Sequence, residues 1–148
     1  MMIREEQVRL GVRADDWREA IREAGELLVQ CGGADQSYIE AMIRTTEQLG
    51  PYIVIAPGIA IPHARPEDGA LNTCFVVLLL DPPIDFGNPD NDPVSLIVAF
   101  SSPSKKDHID ALTNLARQIG QEDFLYKASQ AKNKTELVEL FNRPLDDS

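Results

Sequence analysis

Gly58-Ile59-Ala60-Ile61-Pro62-His63-Ala64-Arg65-Pro66-Glu67-Asp68-Gly69 is the stretch whose reading decides the fold. Before it, Tyr52-Ile53-Val54-Ile55 reads as a buried strand, and after it Cys74-Phe75-Val76-Val77-Leu78-Leu79-Leu80 reads as another. Apolar runs of this length, bounded by turn residues, suit strands covered on both faces. Between them lie a Pro57-Gly58 turn, a short apolar run and a histidine that follows a proline. One of the chain's two histidines therefore stands at the end of a stiff segment, at the mouth of a sheet.

Working outward, Gln7 to Val12 alternates polar and apolar residues, the pattern of a short strand. Asp15 or Asp16, with Glu19 following, opens a helix whose face carries Trp17, Ala20, Ile21, Ala24, Leu27 and Leu28. Gly32-Gly33 ends it. A second helix opens at Asp35 or Ser37 and buries Tyr38, Ile39, Met42, Ile43 and Leu49 before Gly50-Pro51 stops it. Beyond the central strands, Asp81-Pro82-Pro83 is expected to break the chain, and Asp85 to Pro93 forms a turn-rich loop. Val94 to Phe100 is a further buried strand. Ser104 caps a third helix with Ala111, Leu112, Leu115, Ala116 and Ile119 on its inner face, and Gly120 ends it. Phe124, Leu125 and Ala128 mark a short helix. Asn133 with Glu136 caps a last one carrying Leu137, Val138, Leu140 and Phe141, after which Arg143, Pro144 and the acidic tail fray into solvent. The architecture expected is α/β, one domain over residues 1–148, with a mixed sheet flanked by helices on both sides.

Composition narrows the function. At 148 residues and net charge −10, with a calculated pI of about 4.6, the chain lacks the clustered cations that a nucleic-acid surface requires. An acidic protein instead suits a protein partner with a basic face. Cys31 and Cys74 fit neither a metal spacing nor a disulfide framework. The N-terminus has no apolar core of a signal peptide, and no run reaches the roughly 18 apolar residues of a membrane span. A cytoplasmic protein, not inserted in a membrane, is expected.

His63 carries the strongest chemical signal. A histidine satisfied by a backbone carbonyl is the plain alternative. Against it stand Pro62, which fixes its own φ and restricts Ile61, and the position between two buried strands, where such sheets bind ligands. A neutral imidazole is a competent nucleophile and can take up a phosphoryl group, with the protein supplying alignment and hydrogen bonds. Arg65 is a further candidate, although an extended segment would turn it to the opposite face. His108, in the first turns of the third helix, shares a face with Ala111 and Leu112 and stands where free N–H groups favour an anion. Two histidines 45 positions apart with no HExxH pattern make poor zinc ligands, and no metal site is assigned. The aspartates at 85, 90 and 92 lack the EF-hand spacing for calcium. No GxSxG elbow and no P-loop is present, so neither a serine hydrolase nor nucleotide binding is indicated, and no cofactor is implied.

Three motifs in order are Gly58-x-Ala60-Ile61-Pro62-His63-Ala64, then Asp92-Pro93-Val94 opening a strand, then His108 opening a helix. Together they resemble the enzyme IIA domain of the mannitol/fructose class of the bacterial phosphoenolpyruvate-dependent sugar phosphotransferase system (PTS). Gly50 to Pro57, His63 to Gly69 and Asn91 to Val94 look most like its ascorbate-type branch. The resemblance runs from about Gly11 to Phe141. It implies the mannitol/fructose-type enzyme IIA fold, with His63 accepting phosphate from the phosphocarrier HPr and donating it to a cysteine of a IIB component. The resemblance further implies a IIC transporter complex beyond that component, for ascorbate or a related sugar. It also implies that His108 helps to hold the phosphate. Mannitol-type members carry an arginine in the helix before the active strand. Arg44 lies in the matching helix, its register to that position fixed only to within about a residue, and is left outside the site. The rival readings are a regulatory module of the same fold, whose phosphorylation at His63 controls a partner protein, and, behind it, a metal-dependent hydrolase.

Overall fold

The computed structural model describes residues 3–121 and 123–143. Its elements in chain order are β1 (Val8–Val12), α1 (Trp17–Gln30), α2 (Gln36–Leu49), β2 (Val54–Ala56), β3 (Ile59–Ala60), β4 (Cys74–Ile84), β5 (Val94–Ser101), α3 (Lys105–Ile119), α4 (Phe124–Ser129) and α5 (Lys134–Asn142). The five strands form one mixed sheet in the order β1-β4-β5-β3-β2. β4 and β5 pair antiparallel at its centre, β1 runs parallel to β4, and β3 runs parallel to β5.

Alternation along the central strands builds two cores, one on each face. Val76, Leu78, Leu80, Ile97 and Ala99 point toward α1 and α2, where they meet Ile21, Leu28, Ile39 and Met42. Val77, Val98 and Phe100 point the other way, toward Leu115 of α3, Phe124 of α4 and Phe141 of α5. Each large apolar side chain buried in this way contributes about 1.5–3 kcal/mol. Asp16, Asp35, Ser104 and Asn133 cap the four longer helices, accepting from the N–H of Glu19, Ser37, Asp107 and Glu136. At about 1 kcal/mol each, the caps fix where helices begin while packing supplies most of their stability.

Four local expectations are corrected. Asp81-Pro82-Pro83 does not break β4, which continues to Ile84; the ladder to β5 slips between Leu79 and Ile84, so these residues sit in an irregularity where proline's missing N–H costs no ladder bond. The strand expected at Tyr52 to Ile55 is β2, an edge strand at Val54–Ala56, with Tyr52 and Ile55 exposed because no further strand covers them. Leu49 is 69% exposed, since the last turn of α2 runs past the sheet. Ala116 is exposed and Gln118 takes the inward position instead, its amide donating to the Leu140 carbonyl at 3.1 Å. The fraying expected from Pro144 onward lies outside the described residues.

Candidate active site

The turn before His63 is held from both sides. Gly58 takes φ +76°, donates to the Asn91 carbonyl at 2.8 Å, and accepts from the N–H groups of Ser95 and Leu96. A side chain here would adopt a left-handed backbone and meet Leu125 Cδ2 at 2.6 Å, which explains the glycine. β3 then delivers Ile61 and Pro62 to the sheet end. The Pro62 carbonyl accepts from Phe100 N–H, and His63 leaves the sheet beside the last residues of β5.

The His63 ring stacks on Phe100 with centroids 4.9 Å apart and planes 24° from parallel, and Tyr52 meets it edge-on at 6.1 Å. His108, on the first turn of α3, also lies against Phe100, at 5.3 Å. The two imidazole centroids are 5.5 Å apart. Two side chains separated by 45 positions therefore share one aromatic floor. They open into a pocket of about 500 Å³ that is also bordered by Arg44, Thr45, Gln48 and Leu49 of α2, and by Tyr52, Arg65 and Asp68.

Hydrogen bonding distinguishes the nitrogens. His63 Nδ1 lies 2.8 Å from the Ile61 carbonyl, which can only accept, so the proton sits on Nδ1 and Nε2 keeps its lone pair. Burial holds the His63 pKa below its usual value, assisted by the neighbouring His108 and opposed by the Ile61 bond. The neutral form, which carries the nucleophilic lone pair, prevails at neutral pH. His108 Nδ1 is buried and has no hydrogen-bond partner among the described residues.

The two arginines differ. Arg65 borders the pocket, but its guanidinium is exposed and engaged by Asp68 at 3.2 Å and Glu67 at 3.5 Å. That guanidinium in turn holds the Asp68 carboxyl below the usual range. Arg44 borders the same pocket, is exposed, and meets no carboxylate within ion-pair distance among the described residues. Arg44, which register alone leaves outside the site, is therefore the less committed of the two guanidinium groups at the pocket. Arg44 and Thr45, successive residues of α2, both reach the rim. Phe100 and Tyr38, which the apolar pattern places in the core alone, also border the site's architecture: His63 stacks on Phe100, and the Tyr38 hydroxyl bonds the backbone of Ala64 and Phe100. For Tyr38 a signal was present: a hydroxyl in an apolar helix stripe must find a partner inside.

Comparison with known proteins places this geometry. The family model for "Phosphoenolpyruvate-dependent sugar phosphotransferase system, EIIA 2" matches residues 1–143. The chain belongs to the PTS EIIA 2 family. The ascorbate-specific PTS system EIIA component of Salmonella typhimurium is 34% identical over 139 residues, 91% of this chain and 90% of the relative. The mannitol-specific cryptic phosphotransferase enzyme IIA CmtB from Escherichia coli shares the fold with TM-score 0.85 and 31% identity, covering 97% of this chain and 96% of that one. Enzyme IIA of the E. coli mannitol system, solved in complex with its phosphorylated enzyme IIB, superposes with TM-score 0.82 and 28% identity, over 94% and 96% of the two chains. The α/β fold with a mixed sheet is thus that of mannitol enzyme IIA, as the sequence motifs implied. No helix among the described residues is long and apolar enough to cross a membrane.

Proposed function

We propose that this PTS EIIA protein is a phosphocarrier that takes a phosphoryl group from phospho-HPr on Nε2 of His63 and passes it to a cysteine of a IIB component. The observation that carries the reading is the His63 Nδ1 bond to the Ile61 carbonyl beside a second imidazole at 5.5 Å. The Nε2 lone pair attacks phosphorus as the donor's nitrogen–phosphorus bond breaks, and the donor imidazole leaves neutral. The His63 ring gains positive charge, which the Ile61 carbonyl stabilises through the Nδ1 proton, so no proton has to move. In the second step a IIB thiolate attacks phosphorus and the bond to Nε2 breaks.

The transferring group carries its charge on three equatorial oxygens, and donors aimed at them lower the barrier. His108 and Arg44 are assigned that role, with Arg65 left to the rim because its charge is already paired. Phe100 supplies a rigid, dry floor that keeps both rings in place. The ascorbate-specific relatives make ascorbate or a related sugar the transported compound to test first, delivered through IIB and a IIC transporter.

The test is a phosphotransfer assay with phosphoenolpyruvate, enzyme I and HPr, followed by mass spectrometry and addition of an ascorbate-type IIB. One phosphoryl group is expected on the wild type and none on His63→Ala, with discharge on adding IIB. Acid-labile phosphate on His63→Ala overturns the assignment. Phosphorylation that no IIB discharges replaces the transport reading with regulation of a partner.

A further inference from the structure

Tyr38 lies in the first turn of α2, fully buried, between the segment that carries the nucleophile and the strand that carries its aromatic floor. Its hydroxyl accepts from the Ala64 N–H at 2.9 Å and donates to the Phe100 carbonyl at 2.8 Å, with the Ala64 carbonyl at 3.2 Å. Ala64 is the residue directly after His63, and Phe100 is the ring on which His63 stacks. One oxygen thus joins the backbone of both. The same helix holds the segment further on: Ser37 Oγ donates to the Asp68 carbonyl at 3.1 Å, and Asp35 N–H donates to the Gly69 carbonyl at 3.0 Å.

We propose that Tyr38 is a positioning residue for phosphoryl transfer, fixing the His63 ring against Phe100 through the hydrogen bonds of its hydroxyl to Ala64 and Phe100. The inference rests on His63 being the phosphoryl acceptor. The Ala64 N–H and the Phe100 carbonyl are buried, so the hydroxyl is their partner in place of water. Without it the peptide after His63 is free to turn, which shifts the ring and weakens the bond from Nδ1 to Ile61 that selects Nε2. In-line attack is sensitive to such displacement, since about 1 Å can cost up to about a hundredfold in rate. Tyr38 touches no reacting atom and acts through His63.

Tyr38→Phe keeps the ring and removes only the hydroxyl, and it is read against wild type and His63→Ala. Single-turnover phosphorylation is followed with phospho-HPr and, separately, with phosphoramidate, a small donor that needs no docking surface. Long-range ¹H–¹⁵N spectra report the His63 tautomer. The expected result is a rate loss of about tenfold or more with both donors, an unchanged KM for phospho-HPr, and loss of the single Nδ1–H tautomer. Unchanged rates and an unchanged tautomer overturn the inference, even if thermal stability falls. So does a loss confined to phospho-HPr, which would place the effect in docking. If the wild type takes no phosphate on His63, the functional reading fails first, and the inference with it. Should Tyr38→Phe not fold, the wild type decides: the buried Tyr38 hydroxyl proton must shift on phosphorylation of His63, and a stationary resonance overturns the proposal.

Discussion

Replacing Asp92 by asparagine strikes the loop that holds the turn before His63. The Asp92 carboxylate accepts three backbone N–H groups, from Phe86 at 2.9 Å, Gly87 at 2.9 Å and Asn88 at 2.8 Å. A hydrogen bond to a charged acceptor is worth about 1.5–3 kcal/mol, but three on one half-buried carboxylate do not add in full. Asp92→Asn keeps one acceptor oxygen and loses the charge, and the expected cost is about 2–4 kcal/mol. For a chain of this length that lowers Tm by about 5–15 °C. The loop also presents the Asn91 carbonyl to Gly58 N–H and the side-chain amides of Asn88 and Asn91 to the Val54 carbonyl, so the damage reaches β2 and β3. Guanidinium unfolding measures the loss, with exposed Asp90→Asn as the control for charge alone. Stabilities of the two variants within about 0.5 kcal/mol of each other would refute the reasoning, because surface changes fall in that range.

Other perturbations separate the roles of the site residues. His108→Ala should slow phosphorylation of His63 by about 10²-fold, the usual loss when one donor to a developing anion is removed, with unfolding little changed; a rate near wild type removes His108 from the mechanism. Arg44→Gln is expected to slow transfer by about tenfold or more while Arg65→Gln stays within about threefold, because only the latter guanidinium is held by carboxylates; stopped-flow transfer from phospho-HPr checks the order, and the reverse order contradicts it. Stability should also respond to pH through His63. Its folded pKa lies below the ordinary 6.5, chiefly because of burial, so below that value the unfolded chain binds more protons. Stability is therefore lost as pH falls from about 6.5 through the lower folded value, at up to about 1.4 kcal/mol per pH unit. His63→Gln should lose less than wild type between pH 7.5 and 5.5, and parallel losses in urea unfolding would contradict the burial of the ring.

The pattern of apolar residues made the fold legible where packing is periodic. The stripes of α1 and α2 and the unbroken runs of β4 and β5 correspond to elements with a core on each face of the sheet. It misled where tertiary context overrides local chemistry. Two prolines look like a strand end, yet β4 carries them through an irregularity in its ladder. Leu49 looks like core and stands at the pocket rim, because a helix face says nothing about how far the sheet beneath it extends. At the site, Pro62-His63 advertised itself by backbone stiffness, and His108 by its place at a helix start. That these two rings meet over Phe100 depends on the parallel pairing of β3 with β5, which no local pattern encodes. Arg44 required the same knowledge, since one residue of register on a helix turns a side chain by about 100°.

Locating the phosphoryl group is the most direct test of the central claim. After phosphorylation by enzyme I and HPr, ¹⁵N-labelled protein is examined for the nitrogen that couples to phosphorus. The account predicts a single phosphorylated nitrogen, Nε2 of His63, with the proton retained on Nδ1 against Ile61. Phosphorus on Nδ1 of His63, or on either nitrogen of His108, would contradict it.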